Sequence, residues 1–229
     1  MSLATLLAAA SLPFLAKTIV VMAGLQGYIY QSLYKVFQLL VPVVWRYRQG
    51  EKGLRIFWPV NAPCPSLKIW ILATGISLGL SAAGIIVLTL LLPLWNLDPQ
   101  VIRQGFDERF AVGPVVAVMV VVFLSFINSA LEELHFRAWL DTEVSKPIGN
   151  TAGIGMSALA FGAMHSLIFM GLPGFSPSLV LMAIIGLVVC GILWSLLMRQ
   201  PGGIHAAWWS HGLTDALLLG WGLHWLAYV

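Results

Sequence analysis

The chain has 229 residues, of which 59% are hydrophobic and only 9% charged, and its mean hydropathy is +0.91. A soluble domain carries about 25% charged residues, so this composition excludes an ordinary water-solvated globule and makes lipid the main solvent. The formal charge of +3 is small and scattered. It gives no footing for a nucleic-acid partner and leaves Lys and Arg as markers of membrane topology.

The first stretch, "MSLATLLAAASLPFLAK" (1–17), has no basic residue ahead of its apolar run. It therefore reads as a retained first span rather than a cleaved signal peptide. A spanning helix needs about 20 mostly apolar residues. By that measure the chain offers seven spans, over about 3–23, 26–45, 67–95, 112–140, 151–171, 178–198 and 204–227. Lys17 and Lys35 interrupt the first two, so one of them has the alternative of lying in the interface. The third and fourth are long, which predicts tilt or an extension into the headgroups. No segment alternates as a membrane barrel strand does. The expected fold is an all-α polytopic bundle, one integral-membrane domain over 1–229 with no internal repeat. Cys64 stands between two prolines and Cys190 inside an apolar run, a spacing that marks neither a metal knuckle nor a disulfide framework.

Between the spans lie a basic loop at 46–55, a polar, slightly acidic connection at 96–109, and Pro/Gly turns at 145–150, 171–178 and 199–203. Alternating the spans puts Arg46, Arg48, Lys52, Arg55, Lys146 and Arg199 on one side and Arg103 and Arg109 on the other. The positive-inside rule then places the N-terminus in the cytoplasm. "GLPGFSPS" (171–178) reads as a turn rather than a substrate gate.

Ionisable residues inside spans are functional candidates by default. Here they are Glu132, Glu133, His135 and Arg137 on the fourth span, His165 on the fifth, and His211 and Asp215 on the seventh. Glu132 and His165 lie at equal sequence distance from the turn joining their spans, about 25 Å along each helix, which is the equal depth a shared site requires. His211 is only about 14 Å beyond its own turn. The difference vanishes if the segment ending in "KPIGN" projects past the bilayer. Glu133 and Arg137 have the favoured i, i+4 spacing of a helical ion pair. Glu132 lies about 100° round the helix from Glu133. It is expected to lack a local cation and to meet histidines of other spans.

Three motifs in order, Glu132-Glu133-x-x-x-Arg137, Phe161-x-x-x-His165 and His211-x-x-x-Asp215, resemble the CAAX protease and bacteriocin-processing family, also called the Abi or type II CAAX prenyl endopeptidase family. The resemblance covers a catalytic core at about 112–225, while residues 1–110 resemble only generic membrane helices. It implies a glutamate-dependent intramembrane endopeptidase that needs no metal or other cofactor. Carried over, Glu132 is the general base, His165 assists it on the same water, and His211 with Asp215 stabilises the oxyanion. Glu133, Arg137 and Phe161 are then supporting residues. The implied substrate is a membrane-anchored protein or peptide, and the implied location a bacterial inner membrane. Asp215 departs from the pattern: many members have Asn there. An ionised carboxylate repels an oxyanion, so Asp215 has to be protonated, orient His211 or bind a metal.

Two other readings stay open on the residues. Glu132-x-x-His135 has the Glu-x-x-His form of di-iron bundles, and His165, His211 and Asp215 could complete a metal site, which makes a metal-dependent hydrolase the first alternative. A transport or assembly protein with a proton-relay carboxylate is the second. His135 lies outside the family motifs and is expected to face a neighbouring helix or the membrane edge. His205 and His224 are expected at the interface. Trp194, Trp208, Trp209, Trp221 and Trp225 read as an aromatic belt and packing, and Phe161 as packing beside His165.

Overall fold

An apolar chain in lipid must satisfy its backbone N–H and C=O groups internally, so it forms helices or a closed barrel. The computed structural model describes residues 3–25, 32–52, 63–110, 113–170 and 175–227, and among them there are helices and no strands. In chain order these are α1 (Leu3–Met22), α2 (Tyr34–Arg48), α3 (Leu67–Leu91, tightening into a 3₁₀ turn at Leu92–Trp95), α4 (Pro99–Phe110), α5 (Pro114–Ile148), α6 (Asn150–Phe169), α7 (Pro177–Met198) and α8 (Gly203–Trp225). The all-α polytopic bundle is therefore observed, with α6 packed on α7, α3 on α8 and α1 on α2.

Against the seven spans expected, five helices among the described residues are long and apolar enough to cross a membrane: α1, α3 with its 3₁₀ turn, α5, α6 and α7. The second expected span, 26–45, is only partly matched. α2 has 15 residues, about 22 Å of helix against a hydrocarbon core of about 30 Å, and residues 26–31 lie outside the described residues. α8 has the length, 23 residues, but buries Ser210, His211 and Thr214; side chains that serve the bundle interior lower its apolarity. The connection at 96–109 is not a loop but mostly α4. Asp98 Oδ1 accepts from the Gln100 backbone N–H at 2.8 Å, Pro99 follows, and Ile102 is buried. These are the start signals and apolar anchor of a short helix. Part of the turn at 171–178 lies outside the described residues.

The fourth expected span, 112–140, runs on to Ile148 and is not uniformly wound. It is α-helical at Pro114–Phe123, π-helical at Leu124–Asn128, α-helical at Ser129–Glu132, π-helical again at Glu133–Asp141 and α-helical to Ile148. Wide turns misalign carbonyls, and in a membrane those must find other donors. Neighbouring helices supply them. Ser157 of α6 donates to the Phe136 carbonyl at 2.6 Å, and the Trp208 indole of α8 to the Phe126 carbonyl at 3.0 Å.

Two close approaches fix the helices around this irregular rod. At Gly212 of α8 a Cβ would overlap the Ser125 carbonyl oxygen of α5, so only glycine admits that crossing. At Gly191 of α7 a Cβ would lie 3.0 Å from the Ala158 Cα of α6, nearly backbone to backbone. Beyond the end of α7, both guanidinium Nη atoms of Arg199 reach the Asp141 carboxylate at 2.8 Å. The turn after α7 is thus tied to α5 at Asp141, and the residues 142–148 extend past it. That extension removes the depth difference between Glu132 and His211.

Candidate active site

Glu132 closes the short α-helical piece between the two π-helical segments, and it is buried. Its Oε2 stands 3.5 Å from His211 Nε2 of α8, and its Oε1 4.0 Å from His165 Nε2 of α6 and 3.8 Å from Lys35 Nζ of α2. Oε1 accepts no hydrogen bond from any protein group. Four helices therefore converge on one carboxylate.

Glu133 opens the second π-helical segment and turns to the other side of the same imidazole. Its Oε1 lies 2.8 Å from His211 Nδ1 and 3.3 Å from Arg137 Nη1. A carboxylate accepts, so His211 donates from Nδ1. The expected i, i+4 pair with Arg137 is present, with both side chains fully buried. Both glutamates reach the same imidazole, Glu133 at its Nδ1 and Glu132 at its Nε2.

Aromatic rings wall this group. Trp194 lies face to face on His211, with centroids 3.9 Å apart and planes at 14°. Its indole N–H donates to Ser210 Oγ at 3.2 Å. The Arg137 guanidinium carbon sits 4.4 Å above the Phe161 ring and 5.1 Å above Trp194, the geometry of a cation on a π-face. Trp194 is thus a wall of the site and not a belt residue. Phe161 packs beside His165, with centroids 4.5 Å apart.

His165 Nδ1 lies 2.8 Å from the Phe161 carbonyl one turn back. A carbonyl only accepts, so neutral His165 carries its hydrogen at Nδ1 and presents a lone pair at Nε2 towards Glu132. Asp215 Oδ2 lies 3.5 Å from His211 Nε2. The side chains of His165 and Asp215 are 16% and 23% exposed, against 2% for Glu132 and His211. The cluster is therefore approached from the His165 and Asp215 side.

The structure thus brings Glu132, His165, His211 and Asp215 together, with Glu133, Arg137 and Phe161 against them. It does not bring in His135, whose Nδ1 lies 3.2 Å from the Gln38 carbonyl of α2 and whose ring contacts Phe136 and Trp139. The five-residue ligand set that includes His135 does not converge; among the described residues no three His, Cys, Asp or Glu side chains are placed to share a cation. Sequence reading missed Lys35, treated there as an interruption of a span, and with it Asn128, whose Oδ1 accepts from the Lys35 ammonium. The cation beside Glu132 is not local but comes from another helix, α2. The rule that an ionisable residue at membrane depth is a site candidate, applied to Lys35, was the available signal.

Fold and site together define an integral membrane protein with a carboxylate–histidine cluster held among its helices. Residues 114–217, from the start of α5 to two residues past Asp215, match the family model described as type II CAAX prenyl endopeptidase Rce1-like. The match covers a little under half of the chain and supports the CAAX protease and bacteriocin-processing family for this segment, and with it a CAAX-type intramembrane peptidase acting on a peptide or protein. No curated protein and no solved structure gives a significant match.

Proposed function

We propose that the protein is a glutamate-dependent intramembrane endopeptidase, hydrolysing a peptide bond in a membrane-anchored protein or peptide. The observation that carries this reading is a pair of facing acceptors. Glu132 Oε1 has no hydrogen bond within the protein, and His165 Nε2, 4.0 Å away, presents a lone pair. A single water donating to both atoms fits that separation.

Glu132 takes one proton of that water as its oxygen adds to the scissile carbonyl carbon, and the carbonyl π pair moves onto oxygen. His165 holds the water by its second hydrogen. A proton on His211 Nε2 turns its contacts with Glu132 and Asp215 into donor–acceptor pairs, and the same N–H is aimed to donate to the oxyanion. Glu133 on Nδ1 and Trp194 on the ring face fix that aim. Asp215 orients the donor until substrate arrives. When the intermediate collapses the C–N bond breaks, and Glu132 returns its proton to the leaving nitrogen. Residues 112–225 then form the catalytic core and 1–110 the N-terminal helices. The Lys/Arg distribution supports a cytoplasmic side for Arg46, Arg48, Lys146 and Arg199, and so a cytoplasmic N-terminus if α1 and α2 both cross the membrane, which the family resemblance implies is a bacterial inner one.

The test compares membranes containing wild type and Glu132→Gln, each with and without chelator. Loss of the general base is expected to slow maturation of at least one membrane peptide by about 10²–10⁴-fold, with wild type indifferent to chelator. If the same peptides mature in both membranes, the protease reading is wrong; if chelator stops wild type, the metal-free mechanism is wrong.

A further inference from the structure

We infer that Lys35 is a positioning residue of this site, so that the N-terminal helices outside the matched segment contribute the cation that holds and aims Glu132. Its catalytic consequence rests on the protease reading above; the pairing does not.

Lys35 is 9% exposed, and its ammonium stands beside Glu132 inside the bundle, where a charge needs a counter-charge. It has one at Glu132 Oε1, 3.8 Å away, and a second acceptor in Asn128 Oδ1, one turn earlier on α5. The Tyr34 ring lies 4.8 Å from the ammonium and completes the pocket. Three carboxylates, Glu132, Glu133 and Asp215, meet around His211. Arg137 answers one of them and Lys35 another, so a single proton shared with the histidines brings the cluster to neutrality. Without Lys35 the buried group carries an additional uncompensated negative charge, at the carboxylate that has no hydrogen bond on Oε1. Asn128 is placed to matter for the same reason. It closes the first π-helical segment, and its hold on Lys35 sets α2 against α5 at the level of Glu132.

The experiment is a stability cycle on the full chain in detergent or lipid discs. Lys35→Met is expected to lower Tm by about 3 °C or more, and by at most half as much in a Glu132→Gln background. Equal losses in the two backgrounds overturn the inference. Should Lys35→Met fail to accumulate, the double variant is expected to accumulate, and its failure as well overturns it. With a peptide that wild type cleaves, Lys35→Met is expected to lower kcat about ten- to a hundredfold with KM changed less than about threefold. Lys35→Arg should recover most of the rate, and an unchanged kcat in folded Lys35→Met protein overturns the inference. The stability cycle needs no turnover. A wild type that cleaves nothing therefore sinks the protease reading, while the cycle still decides for or against Lys35.

Discussion

Replacing Glu133 by Gln removes one negative charge and almost no volume, so its effect is electrostatic. Arg137 is 0% exposed, and its carboxylate partner is Glu133 at 3.3 Å. Breaking a buried pair from one side typically costs about 3–5 kcal/mol, because the remaining charge is uncompensated. The aromatic faces around the guanidinium are present before and after, so they do not offset this. His211 Nδ1 would keep a neutral amide acceptor in place of a charged one, a further loss of about 1 kcal/mol. At roughly 2–4 °C per kcal/mol for a chain of this size, Glu133→Gln is expected to lower Tm by about 10–20 °C. Thermal unfolding of the full chain in detergent, followed by near-UV circular dichroism, measures it. The control is Glu133→Gln with Arg137→Met, which removes both charges and should recover a large part of the loss, since apolar replacement of a buried pair is often neutral. A fall below about 2 °C, or a double variant no better than the single, refutes the assignment of Glu133 as the anchor of Arg137 and His211.

Gly212→Ala places a methyl group against the Ser125 carbonyl, so α8 must retreat by about 1 Å. That displacement is enough to cost about a hundredfold in rate, and both Tm and peptide cleavage should fall. His211→Phe keeps the ring stacked against Trp194 but removes the donor; kcat is expected to drop about 10²–10³-fold. Asp215→Asn, which supplies an amide donor at the open side of the cluster, should keep cleavage within about tenfold of wild type; a loss as deep as that of His211→Phe would mean that Asp215 needs its charge. Asp141→Asn breaks the clamp with Arg199, whose side chain is 28% exposed. Solvent screening limits the cost to about 1 kcal/mol, or about 2–4 °C, and a fall beyond about 10 °C would show that the clamp holds α7 on α5 far more firmly.

What could be read from the sequence was what depends on local spacing or on depth. Glu133 and Arg137 pair because i and i+4 share a helix face, whatever the rest of the chain does. The meeting of Glu132 with His165 followed from their equal distance to one turn. Rotation about the helix axis was not legible. Trp194 belongs to a helix with almost no polar markers, so nothing in its pattern says that it faces His211 rather than lipid. The π-helical winding of α5 was hidden for a related reason: it is stabilised by Ser157 and Trp208, donors from helices distant in sequence. α4 escaped because its polar composition resembles a loop's, and only the Asp98–Pro99 start betrays a helix. Lys35 was visible but misjudged, since an isolated charge in an apolar run looks like a defect until its partner is known.

The crossing at Gly191 and Ala158 has a mechanical corollary. No rotatable side chain separates the two backbones there, so dispersion between surfaces already in contact holds them, and lipid cannot compete for that space. Arg137 Nη2 stands 3.3 Å from where a Cβ on Gly191 would be, which puts this weld directly behind the buried cation. When the bilayer stretches or is exchanged for detergent, α6 and α7 should travel as one plank, carrying His165 and Trp194 together and leaving the relative motion to α8 and the N-terminal pair.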